Sequence, residues 1–302
     1  MMKKITILGS INMDVILEIV RLPKPGETME MKSLTTAGGG KGANQAIAAV
    51  RSGADTAFIG KVGDDTYGEK MLGILKKNNI DTAEITIKKG GQTGQAYILL
   101  QESGQNSIII SGGTNLEITT EDVIKAQNSI KNADFLIAQF EVNLDRIAEA
   151  FTIAHENKVK TILNPAPAKN ITNDLLKITD LITPNEIEAQ MLTGIKIIDE
   201  NTAAAAARIL REKGVENVII TLGSQGAYYL TEQEEGLIPA LRVNAIDTTA
   251  AGDTFIGALC SQLENNLTNI KEAINYATKA SSITVQTLGA IPSIPTRKQI
   301  NK

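Results

Sequence analysis

Cysteine and histidine are almost missing from this chain: each occurs once in 302 residues. A single Cys260 excludes an internal disulfide and any thiolate metal cluster. It follows the apolar run Thr254-Phe255-Ile256-Gly257-Ala258-Leu259 and reads as a small core residue. The lone His155 sits in Ala154-His155-Glu156-Asn157-Lys158, a polar helix end, and no second histidine exists to share a metal with it. There is no basic block: the net charge of −4 is spread over scattered groups of both signs, which argues against nucleic acid or an anionic membrane surface as partner. No apolar run approaches transmembrane length, and residues 5–8, behind Met1-Met2-Lys3-Lys4, are too few for a signal-peptide core. What is left is a cytoplasmic enzyme that works with carboxylates, backbone amides and lysine.

What is present is ordinary for a globular protein, with 42% hydrophobic and 21% charged residues. The length allows one large α/β domain, with or without an elaboration. Residues 5–8 read as a central strand whose end delivers Asn12 and Asp14. Residues 15–37 alternate loosely around Pro23-Lys24-Pro25-Gly26 and read as short strands and a turn. Ala37-Gly38-Gly39-Gly40-Lys41-Gly42-Ala43-Asn44-Gln45 brings the backbone close to something, then runs into an Ala-rich helix over 42–52. Its glycines fit the dinucleotide fingerprint only loosely, because no buried strand precedes them. They also fail the phosphate-loop pattern, because Thr35 stands where that loop's first glycine belongs.

Farther on, a strand is expected over 56–60 and an amphipathic helix over 67–79, then a hairpin of 94–101 with 106–110. From Thr119 helix and strand alternate: a helix to about Lys131, a strand over 133–140 ending at Glu141, a helix over 144–157, and a strand ending at Asn164. A strand over 181–183 precedes Pro184-Asn185-Glu186, with helices over 189–192 and 201–213 behind it. A strand over 218–222 ends at Gly223-Ser224-Gln225-Gly226, and 227–230 and 237–245 read as antiparallel strands. This order predicts an α/β fold with a doubly wound, mostly parallel central sheet, helices on both faces, and a small β-sheet lid. The polar motifs gather at one end of separate strands, as ligand sites in open sheets do. Asn185 and Glu188, three apart at a helix start, fit equally a capping pattern and a site for metal-bound water near phosphates.

The most informative stretch is Asp247-Thr248-Thr249-Ala250-Ala251-Gly252-Asp253-Thr254-Phe255. It reads as a loop entering a buried helix at Ala250, Ala251 and Gly252. The first N–H groups of a helix lack partners and carry partial positive charge, and small residues there let a phosphate oxygen approach. An acid beside an anion site needs a reason. A general base aimed at a nucleophile that attacks phosphorus is one; a simple helix cap is the other.

Gly39-Gly40-Lys41-Gly42-Ala43-Asn44-Gln45 and the Asp247–Phe255 stretch resemble the two motifs of the ribokinase-like carbohydrate kinases. Gly9-Ser10-Ile11-Asn12-Met13-Asp14, Asn164-Pro165-Ala166-Pro167-Ala168, Thr183-Pro184-Asn185-Glu186 and Ile220-Thr221-Leu222-Gly223-Ser224 extend the likeness over essentially the whole chain. The resemblance implies one catalytic domain over 1–302, with lid segments at about 15–37 and 94–111. The implied activity is transfer of the ATP γ-phosphoryl group to the 5-hydroxyl of D-ribose. By position, Asn12, Asp14, Gly40, Lys41, Asn44, Glu141 and Asp253 would hold the sugar, with Asp253 as general base. The amides of Ala250, Ala251 and Gly252 would form the anion hole. ATP would lie against Asn185, Thr221, Gly223, Ser224, Gly226, Gly252 and Thr278; Thr278 is smaller than the Asn or His often found there. The family further implies K⁺ held by Asp247, Thr249, Thr284, Thr287, Gly289 and Ser293, several through carbonyls, and Mg²⁺ with Glu188 acting through water. A homodimer paired through the lid sheet would follow from its exposed edges.

Deoxyribose and other free sugars are near rivals as substrate. A nucleoside is disfavoured because the lid segments offer only Tyr97 as an aromatic surface. A nicotinamide oxidoreductase would need the glycine loop behind a buried strand. A non-catalytic sugar sensor would have no use for Asp253 beside the anion-hole glycine.

Overall fold

Strand β1 (Lys4–Leu8) is buried from Ile5 to Leu8 because both of its faces are covered, and its one buried polar residue, Thr6, donates its hydroxyl to the Ser129 carbonyl at 2.8 Å. The structure, a computed structural model, describes residues 2–302. β1 is followed by β2 (Asn12–Ile19), β3 (Ser33–Gly39) and α1 (Lys41–Arg51). Next come β4 (Asp55–Gly63), α2 (Thr66–Lys77), β5 (Ile85–Lys88), β6 (Gly94–Gln101) and β7 (Asn106–Ser111). A 3₁₀ turn at Gly113–Glu117 leads to α3 (Thr120–Lys125), α4 (Gln127–Lys131), β8 (Phe135–Gln139), α5 (Leu144–Glu156) and β9 (Lys160–Asn164). The chain continues through α6 (Asn173–Lys177), β10 (Leu181–Ile182), α7 (Glu186–Thr193), α8 (Glu200–Glu212), β11 (Asn217–Thr221), β12 (Ala227–Leu230) and β13 (Glu235–Ile238). It ends with α9 (Ala251–Gln262), α10 (Ile270–Thr284) and two single turns, α11 (Ala290–Ser293) and α12 (Arg297–Ile300).

The larger sheet has nine strands in the order β13-β12-β11-β10-β9-β8-β1-β4-β5. The strands from β11 to β5 pair in parallel, while β12 and β13 add an antiparallel edge. Alternate residues feed two separate cores. Ile5, Ile7, Phe135 and Ile137 point to the side packed by α1, α2, α9 and α10; Leu8, Leu136 and Ala138 point to the side packed by α3, α4, α5, α7 and α8. Strand order runs outward in both directions from β1, so a crevice opens beside its C-terminal end, where β8 also ends. The smaller sheet has the order β3-β2-β6-β7, with β2 and β6 parallel and the two outer pairs antiparallel.

The expected architecture is therefore present, with the hairpin of β6 and β7 in place, and four details differ. Asn12 and Asp14 do not end β1; after a short turn they open β2, in the smaller sheet. The strand expected over 237–245 stops at Ile238, because Pro239 has no N–H for the ladder and Leu241 and Ile246 face solvent. The helix expected from Thr119 to Lys131 is two helices that meet at Ala126. The short elements β5 and α6, and the C-terminal helices α10, α11 and α12, were not anticipated. Among the described residues no helix is long and apolar enough to cross a membrane.

Candidate active site

Two helices far apart in sequence cross where Gly257 of α9 leaves no side chain. A Cβ at that position would lie 2.4 Å from the Gln45 carbonyl oxygen and 2.6 Å from Ala48 Cβ. That close approach brings the first turn of α1 onto the first turn of α9. Asp253, only 8% exposed, accepts a hydrogen bond from Asn44 Nδ2 on Oδ2 and from Gln45 Nε2 on Oδ1, each at 3.0 Å. The glycine motif and the late carboxylate thus meet, with amide donors on both carboxylate oxygens. The turn into α1 needs glycine: Gly40 has φ of 94°, and a Cβ there would sit 2.8 Å from the Asn12 nitrogen.

Lys41 lies in the field of three carboxylates. Burial pulls the Lys41 ammonium down, but Asp253, Glu141 and Glu188 together outweigh it and hold its pKa above the ordinary value. Asp14 is pushed up to about 7, first by burial and then by repulsion from Glu141 and Asp253. Glu141 follows β8 and is tied to two other elements: Ser10 Oγ and the Lys41 backbone N–H both donate to its Oε2, the latter at 3.1 Å. Asn12 is oriented by Asn115, whose Nδ2 donates to Asn12 Oδ1 at 2.7 Å while its Oδ1 accepts from the Ile11 N–H at 2.9 Å. Gly39 faces Asp14 closely enough that a Cβ would meet the carboxylate at 2.4 Å.

Ahead of α9, Ala250 adopts the left-handed conformation, with φ of 60°. This kink turns the Ala251 N–H back to the Thr248 carbonyl at 3.2 Å. Gly252 is exposed, with nothing within 4 Å of where a Cβ would be. The mouth of α9 is therefore open at Gly252, one residue from the Asp253 carboxylate, while the Ala251 N–H expected in the anion hole is spent on Thr248. The Ser281 hydroxyl donates to the Ala251 carbonyl at 2.8 Å and ties α10 to it; Thr278, half-buried, lies one turn earlier on α10.

Behind this mouth the residues implied for K⁺ are stitched together. Asp247 Oδ1 accepts from the N–H and hydroxyl of Thr249 at 2.9 and 2.6 Å, and Oδ2 accepts from the Gly289 N–H at 2.8 Å. Burial would raise the Asp247 pKa, yet these bonds lower it. The Thr284 and Ser293 hydroxyls donate inward, to Thr254 Oγ1 at 3.0 Å and to the Ala290 carbonyl at 2.7 Å. The Thr287 N–H is spent on the Thr284 carbonyl at 3.1 Å. Asp247, with the carbonyls that the resemblance implies, would give an alkali cation a hard-oxygen donor set that suits it.

The nucleotide-side residues line the next strand ends. Asn185 caps α7 and bridges Thr221 of β11, whose N–H donates to the Pro184 carbonyl at 2.9 Å. Asn185 and Glu188 form a complete capping box: Glu188 N–H donates to Asn185 Oδ1, and Asn185 N–H donates to Glu188 Oε2, both at 2.9 Å. The capping reading is thus realised. Burial raises the Glu188 pKa against the opposing effects of the Asn185 bond and Lys41. Gly223 (φ 51°) and Gly226 (φ 113°) shape the exposed turn carrying Ser224; a Cβ on Gly226 would strike the Ile238 carbonyl at 2.0 Å. Among the described residues no three of His, Cys, Asp and Glu gather as a metal site, so a divalent ion would depend on phosphate and water oxygens for most of its shell.

The two motif regions come together as expected. Gln45, Ser10 and Asn115 are contacts that sequence reasoning did not single out. Gln45 had a visible signal, a long polar residue inside an Ala-rich buried helix. Ser10 and Asn115 had none.

Comparison with known proteins agrees with this geometry. The pattern of the pfkB family carbohydrate kinases matches residues 2–297. A ribokinase of Staphylococcus aureus is 48% identical over 303 residues, spanning all of both chains. A bifunctional ribokinase/ribose-5-phosphate isomerase A of Fructilactobacillus sanfranciscensis is 49% identical over 99% of this chain, which spans 56% of that longer protein. The solved structure of Arabidopsis thaliana ribokinase complexed with ribose and ATP superimposes with a TM-score of 0.91 at 31% identity, over 100% of this chain and 98% of that one. By sequence and by architecture, the chain belongs to the pfkB family of carbohydrate kinases.

Proposed function

We propose that this protein transfers the γ-phosphoryl group of ATP to the 5-hydroxyl of D-ribose, giving D-ribose 5-phosphate and ADP. The observation that carries the reading is the Asp253 carboxylate, held by two amides one residue from an open helix mouth. The sugar hydroxyl is far too weak an acid to ionise beforehand. In a loose phosphoryl-transfer transition state its proton leaves late, so Asp253 orients the hydroxyl and then accepts the proton. Charge on the transferring group meets the mouth of α9 around Ala250, Ala251 and Gly252. Asn12, Asp14, Gly40, Lys41, Asn44 and Glu141 bind the remaining sugar oxygens; Lys41 supplies the one cation among the carboxylates. ATP lies along Asn185, Thr221, Gly223, Ser224, Gly226, Gly252 and Thr278.

Mg²⁺, placed through water by Glu188, would supply charge neutralisation between the phosphates. K⁺ behind the mouth, at Asp247, Thr249, Thr284, Thr287, Gly289 and Ser293, would fix the loop without touching substrate. The β2-β3-β6-β7 sheet serves as a lid that excludes water over a single catalytic domain. Its exposed Ile108 and Ile110 meet the lid of a second copy in a homodimer. A requirement for ATP and free sugar suits the cytoplasm.

The test is ATP consumption with ribose, deoxyribose, fructose and adenosine, with and without K⁺. Ribose is expected to give the highest kcat/KM, and K⁺ to raise turnover. Asp253→Asn is expected to keep ribose binding by calorimetry while kcat falls on the order of 10²–10⁴-fold. Near-native turnover in that variant would refute the assigned base.

A further inference from the structure

A chain of neutral amides lies behind the carboxylate, and the proposed reaction does not itself call for it. Gln45 is fully buried, and its Nε2 donates twice, to Asp253 Oδ1 at 3.0 Å and to Asn164 Oδ1 at 3.2 Å. Its Oε1 accepts from Gln139 Nε2 at 2.7 Å, and Gln139 is also fully buried. Asn164 in turn donates through Nδ2 to the Thr183 carbonyl at 3.2 Å. The chain spans the ends of β8, β9 and β10 and stops at Asp253 on α9.

The orientation of every amide follows from its two ends. A backbone carbonyl and a carboxylate can only accept. Asn164 must therefore turn its NH₂ to Thr183 and its oxygen to Gln45. Gln45 must then offer one N–H to Asn164 and the other to Asp253, and its oxygen is left for Gln139. No single amide can flip without breaking the chain.

Stability alone does not account for this arrangement. Gln139 Oε1 is buried with no donor, whereas an apolar side chain of the same size would leave no orphan. The backbone also makes room for the chain: a Cβ on Gly9 would lie 2.3 Å from Gln139 Oε1. A buried amide chain that strands a polar atom, is given space by a glycine and points at one carboxylate oxygen indicates a demand on where that oxygen sits.

We infer that Gln45 is a positioning residue for Asp253, and that Gln139 and Asn164 lock it in the orientation that does this. The inference rests on Asp253 acting as the base. With Oδ1 pinned by Gln45, the carboxylate cannot rotate about its last bond, and a lone pair stays aimed at the sugar hydroxyl. The sugar itself is bound by other groups, so loss of Gln45 acts on turnover rather than on binding.

The experiment compares wild type, Asp253→Asn, Gln45→Met and Gln139→Met in the full-length protein. It measures kcat, KM for ribose and ATP, ribose affinity by calorimetry, and the thermal midpoint. Gln45→Met is expected to lower kcat on the order of 100-fold, the loss that follows a small misplacement of a reacting group, with ribose Kd and KM within about threefold of wild type. Gln139→Met, which frees Gln45 to turn, is expected to lose less kcat in the same pattern. A purely structural role would instead lower the thermal midpoint and scale down the active fraction and ribose-binding stoichiometry together. If Asp253→Asn is inactive and folded Gln45→Met keeps wild-type kcat, the positioning role is overturned while the assigned base stands. If Asp253→Asn itself turns over normally, both fall.

Discussion

Asp14 shows what crowding carboxylates together costs. In the unfolded chain its carboxyl ionises near the ordinary aspartate value of about 3.9. In the folded protein its pKa rises to about 7, through burial first and then Glu141 and Asp253. The native state therefore binds more protons than the unfolded state between these values, and stability falls as pH rises from about 4 through about 7. Asp14→Asn removes that dependence. The melting temperature of Asp14→Asn relative to wild type is expected to rise from pH 5 to about pH 7 and level off by pH 8, while its ribose affinity drops. Scanning calorimetry across that range checks it; an offset that does not change with pH would show that Asp14 ionises normally. The same residue shows where reading the chain falls short. Its role as a polar sugar contact was expected, but its place at the start of β2 was not, because only three residues separate the two strands and nothing local marks the break. Ser10 and Asn115 were missed for a related reason: each acts on a partner over a hundred positions away.

The crossing of α1 and α9 is the element pair on which the site depends. Alanine normally improves a helix over glycine by about 1 kcal/mol. At Gly257 the added methyl would meet a backbone oxygen at 2.4 Å and Ala48 at 2.6 Å, so the helices must part. Gly257→Ala is expected to destabilise the protein by about 1–3 kcal/mol in urea unfolding despite that gain. It is also expected to lower kcat, since separation draws Asn44 and Gln45 away from Asp253. A variant as stable and as active as wild type would mean that the crossing tolerates a side chain. Most of the longer helices and the buried strands were legible because their periodic patterns are strong, but α10, at 15 residues the longest helix, was not expected. β5 and α6 were not, being four and five residues long, too short to show a period. The strand after Leu237 was overextended because alternation continues past Pro239 in sequence while the ladder cannot.

The small sheet links the site to the shape of the assembly. Asn12 and Asp14 stand on β2, so the proposed lid carries sugar-binding groups and cannot move without them. Cross-strand pairs Asp14–Ala96–Ile110 and Ile16–Ile98–Ile108 put an apolar stripe on the same face, with Ile108 53% and Ile110 50% exposed. An edge strand with exposed isoleucines needs a partner or a defence against pairing. Wild type is expected to sediment as a dimer, and Ile108→Glu as a folded monomer with unchanged far-ultraviolet circular dichroism. A variant that still sediments as a dimer would place the interface elsewhere. The sequence by itself determined the chemistry available, the alternation of strands and helices, and the kinase family, because these rest on local pattern and on motifs in order. Only the tertiary structure decided that Gln45 and Asp253, 208 positions apart, share a hydrogen bond. That contact comes from how closely two helices pack, and packing distance is a property of the folded pair that neither stretch of sequence carries alone.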